Sequence, residues 1–124
     1  MSRPTVAILG VGVDRSKYGN KSLRAHVRAG YEVFPVNLNA VEVEGLAAYA
    51  TLDDLPVDRL DRVGIYVRPG VLLGLLDQVA RKSPAEVWLN PGTDSPEVVA
   101  RGESLGLALI RACSLIDAAS NPVQ

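Results

Sequence analysis

The chain has 124 residues, 48% of them hydrophobic, which fits one domain that can bury a core without a disulfide or a structural metal. Thirteen basic and 14 acidic residues give a net charge of −1, so no overall positive field favours nucleic acid or an anionic membrane as a partner. Cys113 is the only cysteine and His26 the only histidine, which excludes an intramolecular disulfide and any metal site built from several Cys and His ligands.

The sequence also gives an expectation about location and domain organisation. It has neither a signal-peptide pattern near its start nor a run approaching the ~20 apolar residues of a membrane span. We therefore expect a cytoplasmic protein with one domain over residues 1–124. Its core is expected at about 5–116 and a C-terminal tail at 117–124.

Five short apolar segments predict strands in chain order. The first, Thr5–Leu9, is a continuous run rich in β-branched residues and stopped by glycine, which is typical of a strand buried on both faces. Pro35 removes a hydrogen-bond donor from the second segment and is expected near the end of that strand. The other four predicted strands lie at residues 31–36, 63–67, 85–89 and 107–110.

Segments with helical spacing separate these strands, at residues 22–29, 51–55, 69–82 and 96–105. Asn20 or Ser22 is available as N-cap of the first helix, and Gly30 as its C-terminal stop. The chain from Arg111 onward is expected to be less regular. Strands that alternate with helical crossovers predict an α/β, Rossmann-like fold, a doubly wound sheet of five parallel strands with helices on both faces.

In an open sheet of this kind a ligand crevice lies beyond the carboxyl ends of the strands. The loop after the first strand, "GVGVDRSKYGN", has Gly10 and Gly12, which allow close approach to a phosphate or simply form a tight turn. A dinucleotide fingerprint would need a third glycine where this chain has Arg15, and an acid at the end of the second strand, where it has Asn37. The absence of the third glycine and of the acid argues against an NAD-binding site.

Other residues after the strands offer binding groups, each with a structural alternative. Arg15 and Lys17 would neutralise phosphates or are simply solvated. Tyr18 would stack on a base or cover the core. Arg68 ends the third strand and would bind an anion or pair with an acid. Cys113 falls near the crevice, as a reactive thiol or as a small buried hydrophobe.

No set of residues in the sequence indicates catalysis. Asn90, Pro91 and Gly92, which follow the fourth strand, offer close ligand approach or only a turn. His26 lies on a predicted helix without a second histidine or an acid placed to orient it, which favours a structural histidine. We therefore predict no catalytic residue and no metal site.

Five segments together resemble the small bacterial and archaeal CoA-binding proteins, which are similar to the N-terminal CoA-binding domain of the succinyl-CoA synthetase α subunit. The segments are "LGVGVDRSKYGN", "AGYEVFPVNLN", "IYVRP", "VWLNPGT" and "RACSLI". Their order and spacing match over about residues 6–116. The most specific parts are "GYEVFPVN" and "YGN".

The resemblance implies a CoA site in which the first loop holds the phosphates and the other strand exits line the rest of the crevice. Family members commonly have a hydroxyl in the segment where this chain has Val11 and Gly12. They also have a lysine at the position of Glu32, whose carboxylate is therefore expected to repel a phosphate. The implied cofactor-binding residues are Gly10, Val11, Gly12, Val13, Asp14, Arg15, Lys17, Tyr18, Gly19, Asn20, Asn37, Asn39, Val67, Arg68, Pro69, Asn90, Pro91 and Cys113.

The function implied by the resemblance is non-catalytic binding of CoA or acyl-CoA, because the chain has no counterpart of the synthetase's phosphohistidine or second domain. Two alternatives stay open. One is an NAD(H)-binding oxidoreductase or redox sensor, and the other is a protein-interaction module that has lost the ligand. Self-association through exposed helices, and a mixed disulfide between Cys113 and the CoA thiol, are further expectations.

Overall fold

Strands and helices alternate along the computed structural model, which describes residues 3–123. The strands are β1 (Thr5–Leu9), β2 (Glu32–Val36), β3 (Glu42–Val43), β4 (Leu46–Ala47), β5 (Arg62–Ile65), β6 (Glu86–Leu89) and β7 (Leu109–Ile110). The helices are α1 (Tyr18–Ala29), α2 (Pro69–Leu73), α3 (Leu76–Arg81), α4 (Pro96–Ser104) and α5 (Ser114–Ser120), with a 3₁₀ turn at Leu52–Asp54.

The central sheet has the strand order β2-β1-β5-β6-β7, and every neighbouring pair in it is parallel. Strands β3 and β4 form a separate antiparallel hairpin. The predicted doubly wound α/β fold is therefore confirmed. No helix in the described part of the chain is long and apolar enough to cross a membrane.

Alternate side chains of β1 enter two different parts of the core. Val6 and Ile8 are fully buried and cluster with Leu23 of α1. Ala7 and Leu9 instead belong to the cluster formed with apolar residues of α2, α3 and α4. Because successive side chains of a strand point to opposite faces, both faces of β1 are covered, as its continuous apolar run predicts.

The strand order reverses at β1, and this reversal positions the site. The chain runs from β1 to β2 on one side of β1, and then adds β5, β6 and β7 on the other side. Two loops that leave the sheet in opposite directions open a crevice between them. The crevice is therefore expected beyond the carboxyl ends of β1 and β5.

Helix α1 begins earlier than the sequence predicts. Its N-cap is Lys17, whereas Asn20 and Ser22, the expected caps, are fully buried inside the helix. The Oδ1 of Asn20, which an N-cap would use as acceptor, accepts from Nε of Arg24 at 2.9 Å, and its amide donates to the carbonyl of Gly12, also at 2.9 Å. Gly30 ends the helix with φ of 102°, as predicted.

The predicted helix at 69–82 is divided into α2 and α3. The N–H groups of Gly74 and Leu75 donate to carbonyls three residues earlier, which tightens the chain and interrupts the α-helical ladder. The hairpin of β3 and β4 was not predicted. Its turn residues Glu44 and Gly45 both have positive φ, at 51° and 79°, as a tight hairpin turn requires.

The chain after Arg111 is also more regular than expected, because it forms α5. Ala118 of this helix packs with Ala25 and Ala29 of α1. Small side chains on both helices allow close approach. Three alanines in segments about 90 residues apart give no periodic signal within either segment, so the pattern of the tail alone did not indicate a helix.

A buried charged cluster lies at the amino end of the sheet, around Arg62 at the start of β5. Arg62 is 6% exposed. Its Nε lies 3.0 Å from Oε1 of Glu86, and its Nη1 lies 2.9 Å from Oδ2 of Asp117 on α5. The guanidinium carbon is 4.6 Å from the centre of the Trp88 ring. Arg62 thus ties α5 to the sheet.

His26 completes this cluster as a fully buried residue of α1. Burial lowers the pKa of His26, which favours the neutral imidazole. Its Nδ1 lies 2.8 Å from the carbonyl oxygen of Ser22 and its Nε2 lies 3.4 Å from Nη1 of Arg62. The tautomer that satisfies both contacts carries its proton on Nδ1 and accepts from Arg62 at Nε2. His26 therefore has a packing role far from the strand exits.

Candidate functional site

A cleft of about 910 Å³ lies at the carboxyl edge of the sheet, where the strand order predicts a crevice. Its walls are the loop after β1, the first turn of α1, the exits of β2, β5 and β6, and the start of α5. The lining residues are Gly10, Gly12, Val13, Asp14, Lys17, Tyr18, Gly19, Asn37, Tyr66, Val67, Arg68, Asn90, Pro91, Gly92, Thr93, Cys113 and Ile116.

Gly10 turns the chain at the end of β1. Its φ of +94° lies in the left-handed region, and a Cβ at this position would stand 2.7 Å from Cγ1 of Val67 and 3.0 Å from the carbonyl of Tyr66. Gly12 differs, because a Cβ there would meet only Nδ2 of Asn37, at 3.7 Å. The backbone therefore requires glycine at position 10, whereas position 12 leaves open space in the cleft.

A third glycine lets α1 begin close to this loop. A Cβ on Gly19 would lie 3.4 Å from the carbonyl oxygen of Gly10 and from Cα of Val11. Close packing of helix against strand is the role of the third glycine in dinucleotide-binding loops. The dinucleotide fingerprint would place that glycine at position 15. The loop here is longer, so Gly19 makes the close contact instead.

Two asparagine side chains hold the glycine loop. Asn37, which follows β2, donates from Nδ2 to the carbonyl of Val11 at 2.7 Å. Asn20 of α1 donates from Nδ2 to the carbonyl of Gly12 at 2.9 Å. Hydrogen bonds to consecutive carbonyls restrict both peptide planes of the turn.

Lys17 and Arg68 are the cations that line the cleft. Within residues 3–123, neither side chain forms an ion pair. Lys17 is the N-cap of α1 and Arg68 the N-cap of α2, so both stand where helix dipoles place partial positive charge. The cleft therefore offers an anionic ligand two cations that have no ion pair in the described residues, beside the carboxylate of Asp14.

The other charged residues of the loop are used internally. Asp14 accepts from the backbone N–H and the hydroxyl of Ser16, at 2.9 and 2.7 Å. These hydrogen bonds lower the pKa of Asp14. Arg15 lies with its Nε 3.3 Å from Oε2 of Glu44 on the hairpin. Asp14 therefore shapes the loop, and Arg15 fastens it to the hairpin.

Apolar side chains form the rim of the cleft. Val13, Tyr18 and Ile116 are 68%, 68% and 66% exposed. Side chains of this size at a cleft mouth leave apolar area for a ligand to cover. The cleft is thus cationic at the start of α1 and α2 and apolar along its rim.

The floor of the cleft is a closed hydrogen-bond network. Asn90 donates from Nδ2 to the carbonyl of Ile65, at 2.8 Å, and its Oδ1 accepts from the backbone N–H and hydroxyl of Ser114, at 2.8 and 3.0 Å. The hydroxyls of Tyr66 and Ser114 lie 3.2 Å apart. Burial raises the pKa of Tyr66. Asn90 thus joins β5, β6 and α5, and its polar atoms are occupied.

Five of the residues implied by the resemblance do not line the cleft. Val11 is fully buried in the core beneath α1. Arg15 pairs with Glu44, and Asn20 is buried against Gly12. Asn39 is exposed on the loop after β2, and Pro69 is the first residue of α2. The remaining implied residues are brought together around the cleft.

Four lining residues were not among those implied: Tyr66, Gly92, Thr93 and Ile116. Tyr66 was assigned to a strand predicted to reach position 67, but β5 ends at Ile65, so Tyr66 already belongs to the exit. Ile116 lies on α5, which was not predicted. A predicted strand that ended at position 65 would have placed Tyr66 at the strand exit. No pattern in the sequence around Ile116 indicated that this residue lines the cleft.

The structure places Glu32, which was expected to repel a phosphate, away from the cleft. Glu32 is the first residue of β2 and lies at the amino edge of the sheet, opposite the cleft. Its carboxylate is 3.9 Å from Nη2 of Arg3. A charge at that edge does not oppose a phosphate at the carboxyl edge.

The cleft offers polar and apolar groups that a ligand can contact. Cys113 is half-buried, and no group of three or more His, Cys, Asp or Glu side chains within residues 3–123 is placed to hold a metal ion. Backbone amides, two cations and apolar side chains favour an anionic ligand with apolar portions.

This fold and its crevice define a Rossmann-like α/β protein. The sequence matches the family model of the CoA binding domain over residues 4–119. The chain therefore belongs to the CoA-binding domain family, and the resemblance seen in the sequence is confirmed.

Solved structures with the same fold include proteins from several organisms. A conserved hypothetical protein of Pyrococcus furiosus is 29% identical, with a TM-score of 0.81 over 94% of this chain and 99% of that chain. A Thermus thermophilus protein is also 29% identical, with a TM-score of 0.83 over 93% and 87% of the two chains. No curated protein matches the sequence.

A larger enzyme contains a similar domain. The dinucleotide-forming acetyl-coenzyme A synthetase 1 of Candidatus Korarchaeum cryptofilum, in complex with phosphate and ADP, is 26% identical with a TM-score of 0.74. The match covers 87% of this chain but 25% of that chain. The present chain therefore corresponds to one part of that synthetase.

Proposed function

We propose that this protein binds coenzyme A or an acyl-CoA in the cleft at the carboxyl edge of the sheet, and that it does so without catalysing a reaction. One observation carries the proposal: Lys17 and Arg68, both without an ion pair in the described chain, flank the glycine loop at a single cleft. Membership of the CoA-binding domain family supports the same ligand.

The cationic part of the cleft suits the phosphates of CoA. The ligand carries a diphosphate and a 3′-phosphate, and charge-assisted hydrogen bonds from Lys and Arg are among the stronger polar contacts in proteins. The first turn of α1, at Tyr18 and Gly19, faces the same cleft and adds the partial positive charge of a helix N-terminus. Three sources of positive potential thus meet at one place.

The apolar rim suits the remaining parts of the ligand. The faces of the adenine ring and the methyl and methylene groups of the pantetheine arm are apolar, and Val13, Tyr18 and Ile116 offer exposed apolar surface beside the cations. Burial of such surface is worth roughly 25 cal/mol per Å² before the cost of immobilising the ligand. The open volume of about 910 Å³ also weighs against a module whose crevice has filled with side chains.

NAD fits this cleft less well. Dinucleotide-binding folds place a carboxylate after the second strand, where it accepts hydrogen bonds from the ribose hydroxyls. Here Asn37 follows β2, and its Oδ1 already accepts from the backbone N–H groups of Asn39 and Ala40, at 2.7 and 3.1 Å. A 3′-phosphorylated ribose needs no such carboxylate.

Isothermal titration of the protein with CoA, acetyl-CoA and NAD tests this proposal. We expect binding of the CoA species and much weaker binding of NAD. Arg68→Gln should weaken CoA binding about tenfold, whereas the control Arg28→Gln, which alters an exposed arginine of α1 outside the cleft, should not. No binding of any CoA species at millimolar ligand would overturn the proposal, and a preference for NAD would favour the oxidoreductase or sensor alternative.

A further inference from the structure

We propose that Asn37 and Asn20 are positioning residues for the diphosphate of the ligand. Their side chains fix the peptide planes of the glycine loop so that the N–H groups of Gly12 and Val13 face the cleft as phosphate donors. This inference rests on the proposed function, and it names the part of the ligand that the loop recognises.

The hydrogen-bond network fixes which way each asparagine amide points. In Asn37, Oδ1 accepts from the N–H groups of Asn39 and Ala40, which leaves Nδ2 to donate to the carbonyl of Val11 at 2.7 Å. A flipped amide would turn Nδ2 toward two backbone donors and Oδ1 toward a carbonyl oxygen. Such an arrangement loses every contact, so one orientation of this side chain is strongly favoured.

Asn20 is fixed in the same way by a cation. Nε of Arg24 donates to Oδ1 of Asn20 at 2.9 Å, and Nδ2 of Asn20 donates to the carbonyl of Gly12 at 2.9 Å. Arg24 also donates from Nη2 to the carbonyl of Arg15, 2.8 Å away. Arg24 therefore holds the loop at Arg15 and also orients the Asn20 side chain that contacts Gly12.

Trans peptide geometry then determines where the loop amides point. In a trans peptide the C=O of one residue and the N–H of the next point in opposite directions. With the carbonyls of Val11 and Gly12 turned toward the asparagines, the N–H groups of Gly12 and Val13 point away from them. Neither N–H donates to an acceptor within residues 3–123, and both residues line the cleft.

Two successive N–H groups that face one cleft would form a concave anion site. The first turn of α1, at Tyr18 and Gly19, borders the same cleft. A diphosphate has two linked anionic groups, so it can contact the loop amides and the helix N-terminus together. Oδ1 of Asn37 already accepts from two backbone N–H groups, so this side chain holds the loop and has no free acceptor for a ribose hydroxyl. The ligand class that follows is a nucleotide recognised through its diphosphate.

Asn37→Asp is the sharpest variant, because it keeps the size of the side chain but replaces the amide donor with a carboxylate facing the carbonyl of Val11. Asn39→Asp is the matched control, since it adds the same charge two residues away on an exposed side chain. We expect CoA affinity to fall about tenfold or more in Asn37→Asp and less than about threefold in Asn39→Asp.

Amide resonances provide a readout that general loss of stability does not produce. In ¹⁵N-labelled wild-type protein, pyrophosphate and CoA should both shift the Gly12 and Val13 amide resonances, and in folded Asn37→Asp these shifts should shrink selectively. This measurement needs no substitution, so the proposal stays testable if Asn37→Asp does not fold.

The outcomes separate the two proposals. If the wild type binds CoA but the Gly12 and Val13 resonances do not move, or if the two Asp variants bind equally well, the positioning role is overturned and CoA binding stands. If pyrophosphate moves these resonances and CoA does not bind, the phosphate site stands and the proposed function falls. If neither ligand binds, both proposals fall.

Discussion

The two ends of the central sheet use positive charge in opposite ways. At the amino end, Arg62 is buried and meets Glu86, Asp117 and the ring of Trp88, so its hydrogen-bonding and charge are satisfied by the protein. At the carboxyl end, Lys17 and Arg68 line an open cleft without an ion pair in the described residues. The contrast shows that the chain supplies the counter-charges of its buried cation, whereas the two cations of the cleft have no ion-pair partner among the described residues.

The largest expected effect on stability comes from removing the buried arginine at the amino end of the sheet. Arg62→Met leaves the Asp117 carboxylate without its partner and loosens α5, so we expect unfolding free energy to fall by about 3 kcal/mol. Arg101→Met removes an exposed pair with Asp77 and should cost less than about 1 kcal/mol. Urea denaturation of both variants measures the difference, and equal losses would contradict a structural role specific to the buried cluster.

The next effect distinguishes the two glycines of the loop. Gly10→Ala forces a Cβ against Val67 at a positive φ, so we expect a loss of about 2 kcal/mol in unfolding free energy. Gly12→Ala meets open space and should change stability by less than about 0.5 kcal/mol. Thermal and urea unfolding test this, and a Gly10→Ala variant as stable as Gly12→Ala would show that the turn tolerates a side chain.

A smaller effect concerns the loss of stability at acidic pH that His26 causes in the charged cluster at the amino end of the sheet. Burial lowers the pKa of His26 in the folded protein, so the unfolded chain binds a proton at a higher pH than the folded chain does. The contribution of His26 to stability is therefore complete above its unfolded pKa, near 6.5, and is lost as the pH falls below it, with a limiting slope of about 1.4 kcal/mol per pH unit.

His26→Gln is the comparison for this acid effect, because glutamine can also contact Ser22 and Arg62 but does not titrate. Urea unfolding between pH 7.5 and 5 should show a steeper loss of stability for the wild type than for His26→Gln. Parallel curves would show that other groups cause the acid dependence.

The smallest expected effect is a gain in CoA affinity from a substitution at the carboxyl end of the sheet. Gly12→Ser adds a hydroxyl where the nearest atom to a new Cβ is Nδ2 of Asn37, at 3.7 Å. A hydroxyl donor beside the proposed phosphate site should raise CoA affinity about fivefold with little change in stability. Calorimetry of wild type and variant measures this change, and weaker binding in Gly12→Ser would place the phosphate elsewhere.

The sequence predicted the fold better than it predicted the individual contacts. The apolar run at Thr5–Leu9 correctly indicated a strand covered on both faces, because such a strand has apolar side chains at consecutive positions. Helix α5 escaped prediction because Ala118 is stabilised by partners on α1 that are distant in sequence. Periodicity within one segment does not report such pairing.

The candidate site shows the same limit. Strand exits such as Gly10, Arg68 and Asn90 were identified because parallel strands bring their carboxyl ends to one edge. The expected effect of Glu32 did not take into account that a residue near a strand in sequence can lie at either end of it, and Glu32 lies at the amino end of β2. Arg15 has a counter-charge because the hairpin residue Glu44 lies beside it, and the sequence did not predict that hairpin.

The most direct test of the central claim is a calorimetric CoA titration of the double variant Lys17→Gln/Arg68→Gln beside wild type and Arg28→Gln. If the unpaired cations of the carboxyl end bind the ligand, the double variant should lose about 100-fold in affinity while its unfolding free energy stays within about 0.5 kcal/mol of the wild type. Arg28→Gln should bind as the wild type does. CoA affinity in the double variant within about threefold of the wild type would contradict the claim.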